Sequence, residues 1–159
     1  MSKSFIVKTR KGDSYEFIVD DNKYEEVAQF KWHAIYSPNR KCVYARRWVA
    51  KKSVFLHWQI VGRPEHGMMI DHKNGNSLDN RAENLRRCSY QDNLRNRRSY
   101  SASGLKGAYF HPASKLWQAK INIDSRKINL GYYKTAKAAH EAYCACAKMH
   151  YGEFFNSGD

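Results

Sequence analysis

The chain is short of several things that would have settled its class at once. It has three prolines and four cysteines in 159 residues. Cys42, Cys88, Cys144 and Cys146 form no Cys-x-x-Cys pair, which leaves a zinc ribbon or knuckle without its ligands. Cys144 and Cys146, two apart in a helical stretch, point apart, so these thiols read as reduced and buried in a cytosolic protein. No run is apolar enough to span a bilayer. Met1-Ser-Lys-Ser-Phe-Ile-Val-Lys-Thr-Arg10 is too briefly apolar for a signal peptide, so the protein is expected in the cytoplasm.

The least expected deficit is local. The net charge is +13, yet residues 1–30 carry five Lys/Arg and six Asp/Glu. From Lys31 to Pro64 there are eight Lys/Arg and no acid, and from Asn93 to Ile123 six and none. Two long acid-free stretches suit a polyanion, because each Lys or Arg near a phosphate releases condensed counterions. A membrane is the poorer partner, since no apolar amphipathic stretch carries the charges. Hydrophobic residues make up 42% of the chain, enough for a core.

The hydrophobic pattern predicts an α+β protein of small modules. Ser4–Val7 and Tyr15–Val19 read as strands joined by a turn at Lys11-Gly12-Asp13. A helix is expected over Tyr24–Phe30, strands over Cys42–Ala45 and Ser53–Leu56, and a short helix over Leu56–Val61 ended by Gly62 and Pro64. Met68–Asp71 reads as a strand entering a polar loop, Lys73–Asn84, and Leu85–Cys88 as its return. Ser89 starts a helix, with Asp92 completing a capping box. After a polar basic linker, Asn96–Gly104, strands are expected at Gly107–His111, Trp117–Ile123 and Arg126–Leu130, the last ended by Gly131. Thr135 caps an Ala-rich helix to about His150. The expected partition is a β-rich region over 1–55, a central strand–loop–strand–helix unit over 56–98, and a linker plus sheet-and-helix module over 99–159.

Asp71, His72, Asn84 and Asn93 carry the candidate chemistry. Hydrolysing a phosphodiester requires a base to take a proton from water, and a positive centre to neutralise the phosphate and stabilise the leaving oxygen. The ordinary pKa of a histidine suits the first task, so His72 is the expected base. A hard divalent cation suits the others and prefers oxygen ligands. Asp71 offers a carboxylate and Asn93 an amide oxygen. Asn84 is expected to tie the loop by bonding backbone groups and so fix His72. His57 either touches DNA or supports the site. Arg86 and Arg87 face opposite ways, so one can clamp a phosphate and the other is a solvated charge.

Asp71-His-Lys-Asn-Gly-Asn76, Leu78-Asp-Asn-Arg81, Glu83-Asn-Leu-Arg86 and Gln91-Asp-Asn93, preceded by Leu56-His57, together resemble the HNH, or ββα-metal, nucleases, and more narrowly phage and intron-borne homing endonucleases. The resemblance covers about residues 56–98. It implies His72 as general base, Asp71 and Asn93 as ligands of one Mg²⁺ or Mn²⁺, and Asn84 as a structural asparagine. The sequence departs from the wider family in lacking zinc-binding cysteines and in having Asn93 where a final His is usual.

Ser103-Gly-Leu-Lys-Gly-Ala-Tyr-Phe110, Ile128-Asn-Leu-Gly-Tyr-Tyr-Lys-Thr-Ala136 and Tyr151-Gly-Glu153 resemble the APETALA/ethylene-response-factor DNA-binding domain of plants. By position, the resemblance implies that Lys106, Tyr109, His111, Lys120, Asn122, Lys127 and Asn129 face DNA. On charge alone, Lys106, Lys120, Arg126 and Lys127 are phosphate candidates, and Asn122 and Asn129 can pair bidentately with adenine. The basic run of Arg95, Arg97 and Arg98 is expected to join them. Trp117 is either core or a base-stacking platform.

These readings converge on a metal-dependent endonuclease of homing type that nicks double-stranded DNA as a monomer, with no membrane partner and no small-molecule cofactor. Two alternatives remain open from sequence: a DNA-binding regulator without catalysis, and an RNA-binding module.

Overall fold

A turn at Thr9–Asp13, closed by the Thr9 N–H donating to the Asp13 carbonyl at 2.8 Å, folds β1 (Ser2–Lys8) onto β2 (Ser14–Asp20). The computed structural model describes residues 1–38, 42–97 and 103–158. Arg98 and the centre of the expected linker lie outside the described residues. The chain forms two compact units, Met1–Tyr90 and Gln91–Asp159, with small sheets and short helices of α+β type.

In the first unit the period-2 alternation of the hairpin turns Val7, Phe17 and Val19 inward. Helix α1 (Asp21–Ala28) adds Val27 to that core. It starts three residues before the expected Tyr24, because Asp20 already takes the extended backbone of an N-cap. A second sheet follows, antiparallel in the order β3 (His33–Ser37), β4 (Cys42–Val49), β5 (Lys52–Phe55). Strand β3 was not expected. It is an edge strand with one buried residue, Ala34, and so carries no visible alternation. Ala34, Val43 and Ala45 pack with Trp32 and Leu56 into the hairpin's core. Helix α2 spans Leu56–Val61, and Gly62 ends it at φ +83. A two-stranded hairpin, β6 (Met68–His72) with β7 (Leu85–Ser89), completes the unit. Helix α3 (Tyr90–Arg95) follows and carries the boundary between the units.

In the second unit the sheet runs β10 (Arg126–Tyr133), β9 (Leu116–Ile123), β8 (Ala108–His111), all antiparallel. Gly131 does not end β10. At φ +123 it makes a bulge after Asn129, and the strand resumes through Tyr133. Helix α4 (Ala136–Tyr151) is capped by Thr135, whose hydroxyl accepts the Ala138 N–H at 3.1 Å. Ala108, Ala119 and Ala139 are wholly buried between sheet and helix. Small side chains let the backbones approach, and a Cβ on Gly107 would lie 2.1 Å from the Tyr143 ring.

Candidate active site

The β6–β7 hairpin delivers Asp71 and His72 side by side, both almost wholly buried. Asp71 faces its register partner Arg86, whose Nε and Nη2 donate to Asp71 Oδ2 at 3.0 and 2.9 Å. Arg86 is therefore no phosphate clamp here: its guanidinium is a buried counterion that orients the carboxylate. Arg87 is the exposed one of the two, as expected of a solvated charge. It donates to the Val61 carbonyl at 3.1 Å and the Arg63 carbonyl at 3.4 Å, supplying partners at the end of α2.

The loop after His72 is held by amides. Asn84 accepts the Asn74 N–H at 3.0 Å and donates to the Asp79 carbonyl at 2.7 Å, joining the two ends of the loop. Asp79 accepts from the Asn74 amide at 2.9 Å and, in a fork, from Arg81 Nε and Nη2 at 2.9 and 2.8 Å. The Arg81 hydrogen bonds hold the Asp79 carboxyl below its usual range. Gly75, at φ +70, donates its N–H to the His72 carbonyl at 2.8 Å, a turn that suits a residue without a Cβ.

This loop is also built by the N-terminal strands, which sequence reasoning did not foresee. Ile18 of β2 donates to the Leu78 carbonyl at 2.9 Å and accepts the Asn80 N–H at 2.8 Å. Val43 of β4 donates to the Ser77 hydroxyl at 3.2 Å, and Asp20 accepts the Ala82 N–H at 2.7 Å. The β-rich region thus forms part of the wall of the site.

Asn80, which the sequence reading passed over, lies against His72. It is 1% exposed, and its Nδ2 donates to the Ser77 and Leu78 carbonyls, both at 3.2 Å. Those two acceptors fix which end of the amide is oxygen, and Oδ1 lies 3.4 Å from His72 Nε2. An amide oxygen only accepts, so the tautomer with the proton on Nε2 is the one that donates to Asn80. Burial pushes the His72 pKa down, against the Asn80 hydrogen bond and the charges of Asp71 and Asp79. The ring is therefore in its base form at neutral pH.

His57 supports the site. Its ring stacks on Phe55 at 5.4 Å and meets His72 edge-on at 5.5 Å, and burial lowers its pKa to about 3. Tyr44 of β4 adds a ring 6.3 Å from His72.

The donors present fit a hard cation. Asp71 supplies a carboxylate whose Oδ2 accepts from Arg86, an oxygen donor of the kind such a cation takes. Among the described residues no three His, Cys, Asp or Glu side chains converge as a cage.

In the second unit the pairing register places Tyr109, His111, Lys120, Asn122, Lys127 and Asn129 on one face of the sheet, opposite α4. Gln118 and Tyr132 share that face, joined by a 3.2 Å hydrogen bond, and were not anticipated. Asn129 Oδ1 accepts the Gly131 N–H at 3.1 Å, which ties that side chain to the bulge. Arg126 pairs with Ile123 on the helix-side rows, exposed at the sheet's end. Lys106 does not face outward. Its Nζ donates to the carbonyls of Arg95, Arg97 and Asn156, and burial lowers its pKa to about 8. Arg95 pairs with Asp92 at 2.7 Å and lies over the Tyr151 ring, so it braces its own unit. Trp117 packs with the sheet-and-helix core and edge-on against Phe110.

A buried imidazole beside a carboxylate, on a hairpin whose loop is tied by asparagines, is an arrangement that can support phosphodiester hydrolysis. Residues 56–95 match the family model of the HNH endonucleases. That domain indicates an enzyme that hydrolyses DNA and depends on a divalent metal. Neither a curated protein nor a solved structure gives a match to the chain. Among the described residues no helix is long and apolar enough to cross a membrane.

Proposed function

We propose that the chain is a homing-type endonuclease that nicks one strand of double-stranded DNA and works as a monomer. The observation that carries this reading is the buried His72 beside Asp71, its Nε2 3.4 Å from Asn80 Oδ1 and its pKa lowered by burial so that the ring is neutral at neutral pH. His72 takes the proton from the attacking water. Asp71 and Asn93 hold one Mg²⁺ or Mn²⁺, with Arg86 keeping the Asp71 carboxylate in place. When bound, that cation neutralises the phosphate and stabilises the departing 3′ oxygen. Asn84 and Asn80 are positioning residues that keep the loop closed and the imidazole in one tautomer.

In this reading residues 56–98 cut, residues 1–55 support the loop, and residues 99–159 read duplex DNA through an APETALA-like sheet face. That face joins Tyr109, Lys120, Asn122 and Lys127, and Arg97 and Arg98 extend the basic character. No small-molecule cofactor or membrane enters the reaction.

The test is supercoiled plasmid carrying the chain's own genomic DNA, incubated with Mg²⁺. Open circles are expected before linear product, with loss of cleavage on adding EDTA or in His72→Ala, which keeps its affinity for DNA. Cleavage that survives both would refute the mechanism, and direct linearisation would refute nicking.

A further inference from the structure

We propose that the outward face of the β3–β4–β5 sheet is a second docking surface for duplex DNA, leading from His72 to the β4–β5 turn. The proposal rests on the nuclease reading but concerns residues that reading does not use. Along β4 the pleat sends alternate residues to opposite faces. Val43 and Ala45 enter the core, while Tyr44, Arg46 and Trp48 face out. Tyr44 is the ring beside His72, and Trp48, four residues on, is 57% exposed. Four residues of strand span about 13 Å, or about four base pairs along the duplex. The register sets His33 and Phe55 in one row with Arg46, and Ser53 opposite Trp48.

The two neighbouring arginines of β4 show what separates the faces. Arg47 is engaged: it lies 3.8 Å from the centre of the Phe30 ring and donates to Gln59 at 2.8 Å. Arg46 lies over the exposed Trp48 ring at 5.0 Å, and among the described residues no carboxylate pairs with it. The Nε of each of the two arginines and the Ser53 hydroxyl are buried and have no hydrogen-bond partner, so it is the surroundings of the guanidinium, engaged in Arg47 and open beside an exposed indole in Arg46, that set the two apart. An arginine without a counterion, lying on an exposed indole, fits a phosphate backbone with the indole laid against the sugars or a base step. Charge makes the same choice of partner. These strands lie in the stretch Lys31–Pro64, which holds eight Lys/Arg and no acid, whereas the preceding thirty residues of the same unit hold six acids. The tip is shaped for contact too. Ala50 and Lys51, at φ 46 and 63, form a tight left-handed turn that puts exposed Lys51 and Lys52 at the end of the track.

The experiment uses the full chain carrying His72→Ala, so that DNA stays intact, and a labelled duplex of mixed sequence read by fluorescence anisotropy across a salt series. Arg46→Gln in that background should flatten the dependence of log K on log salt by about 0.9. Trp48→Ala should weaken binding by about tenfold. Lys11→Gln, in the β1–β2 turn, removes the same charge and should change neither. In the otherwise wild-type chain Trp48→Ala should raise KM and leave kcat near its parent value. Unchanged affinity and slope in folded Arg46→Gln and Trp48→Ala chains would overturn the proposal, as would tighter binding of single-stranded RNA than of duplex. Failure of the nuclease reading shows separately, as absence of cleavage by the wild-type chain in the same buffers.

Discussion

Acid should weaken the first unit through one ring in particular. His57 is buried against Phe55, Tyr44 and His72, and its pKa falls from 6.5 to about 3. In the unfolded chain the same imidazole takes a proton near pH 6.5, and in the folded chain it does so only near pH 3. Between those values the unfolded state binds more protons, so stability is full above about pH 6.5 and is lost as the pH falls towards 3. From about pH 7 to about pH 5 the differential protonation corresponds to about 1.4 pK units, or about 2 kcal/mol. The perturbation is His57→Phe, which keeps a ring in the stack and removes the titration. Urea unfolding at both pH values, for both chains, measures the effect by linear extrapolation. The wild type should lose about 2 kcal/mol more than the variant on going to pH 5. Because His72 and the carboxylates titrate in both chains, they cancel in the comparison. Equal losses would refute the claim that His57 is held neutral by burial.

Two further substitutions probe the parts that position the site and the second unit. Asn84→Ala leaves the Asn74 N–H and the Asp79 carbonyl without their partners. It should destabilise the first unit by about 2–4 kcal/mol, measured by urea denaturation, and lower kcat through a disordered His72 loop. A loss below about 1 kcal/mol would show that water replaces the tie. Gly107→Ala adds a Cβ 2.1 Å from the Tyr143 ring at a φ of +77. It should destabilise the second unit by about 3 kcal/mol, seen as early melting of α4 amides in hydrogen exchange.

Much of the local structure was legible because its signals are local. The Leu56–Val61 helix has a glycine and a proline just beyond it, and the structure gives it those same ends. The β6–β7 hairpin follows from apolar runs on either side of an asparagine-rich loop. Thr135 announced the start of α4. Strand β3 was missed because an edge strand with one buried alanine has no periodic pattern. The course of β10 past Gly131 was missed because a glycine inside a strand reads as a stop until a bulge is seen.

Residue types alone determined the chemistry on offer: an imidazole and a carboxylate adjacent in sequence, amides at fixed intervals, and two acid-free basic stretches. Spacing along a chain does not encode distance between segments far apart in it, so the assignments that depend on such distances were decided by tertiary structure. It set Arg86 on Asp71, where a phosphate clamp had been expected, and gave the exposed Arg87 carbonyl partners at the end of α2. It turned Lys106 inward onto three carbonyls, and it brought β2 and β4 to the loop that sets Asn80 beside His72.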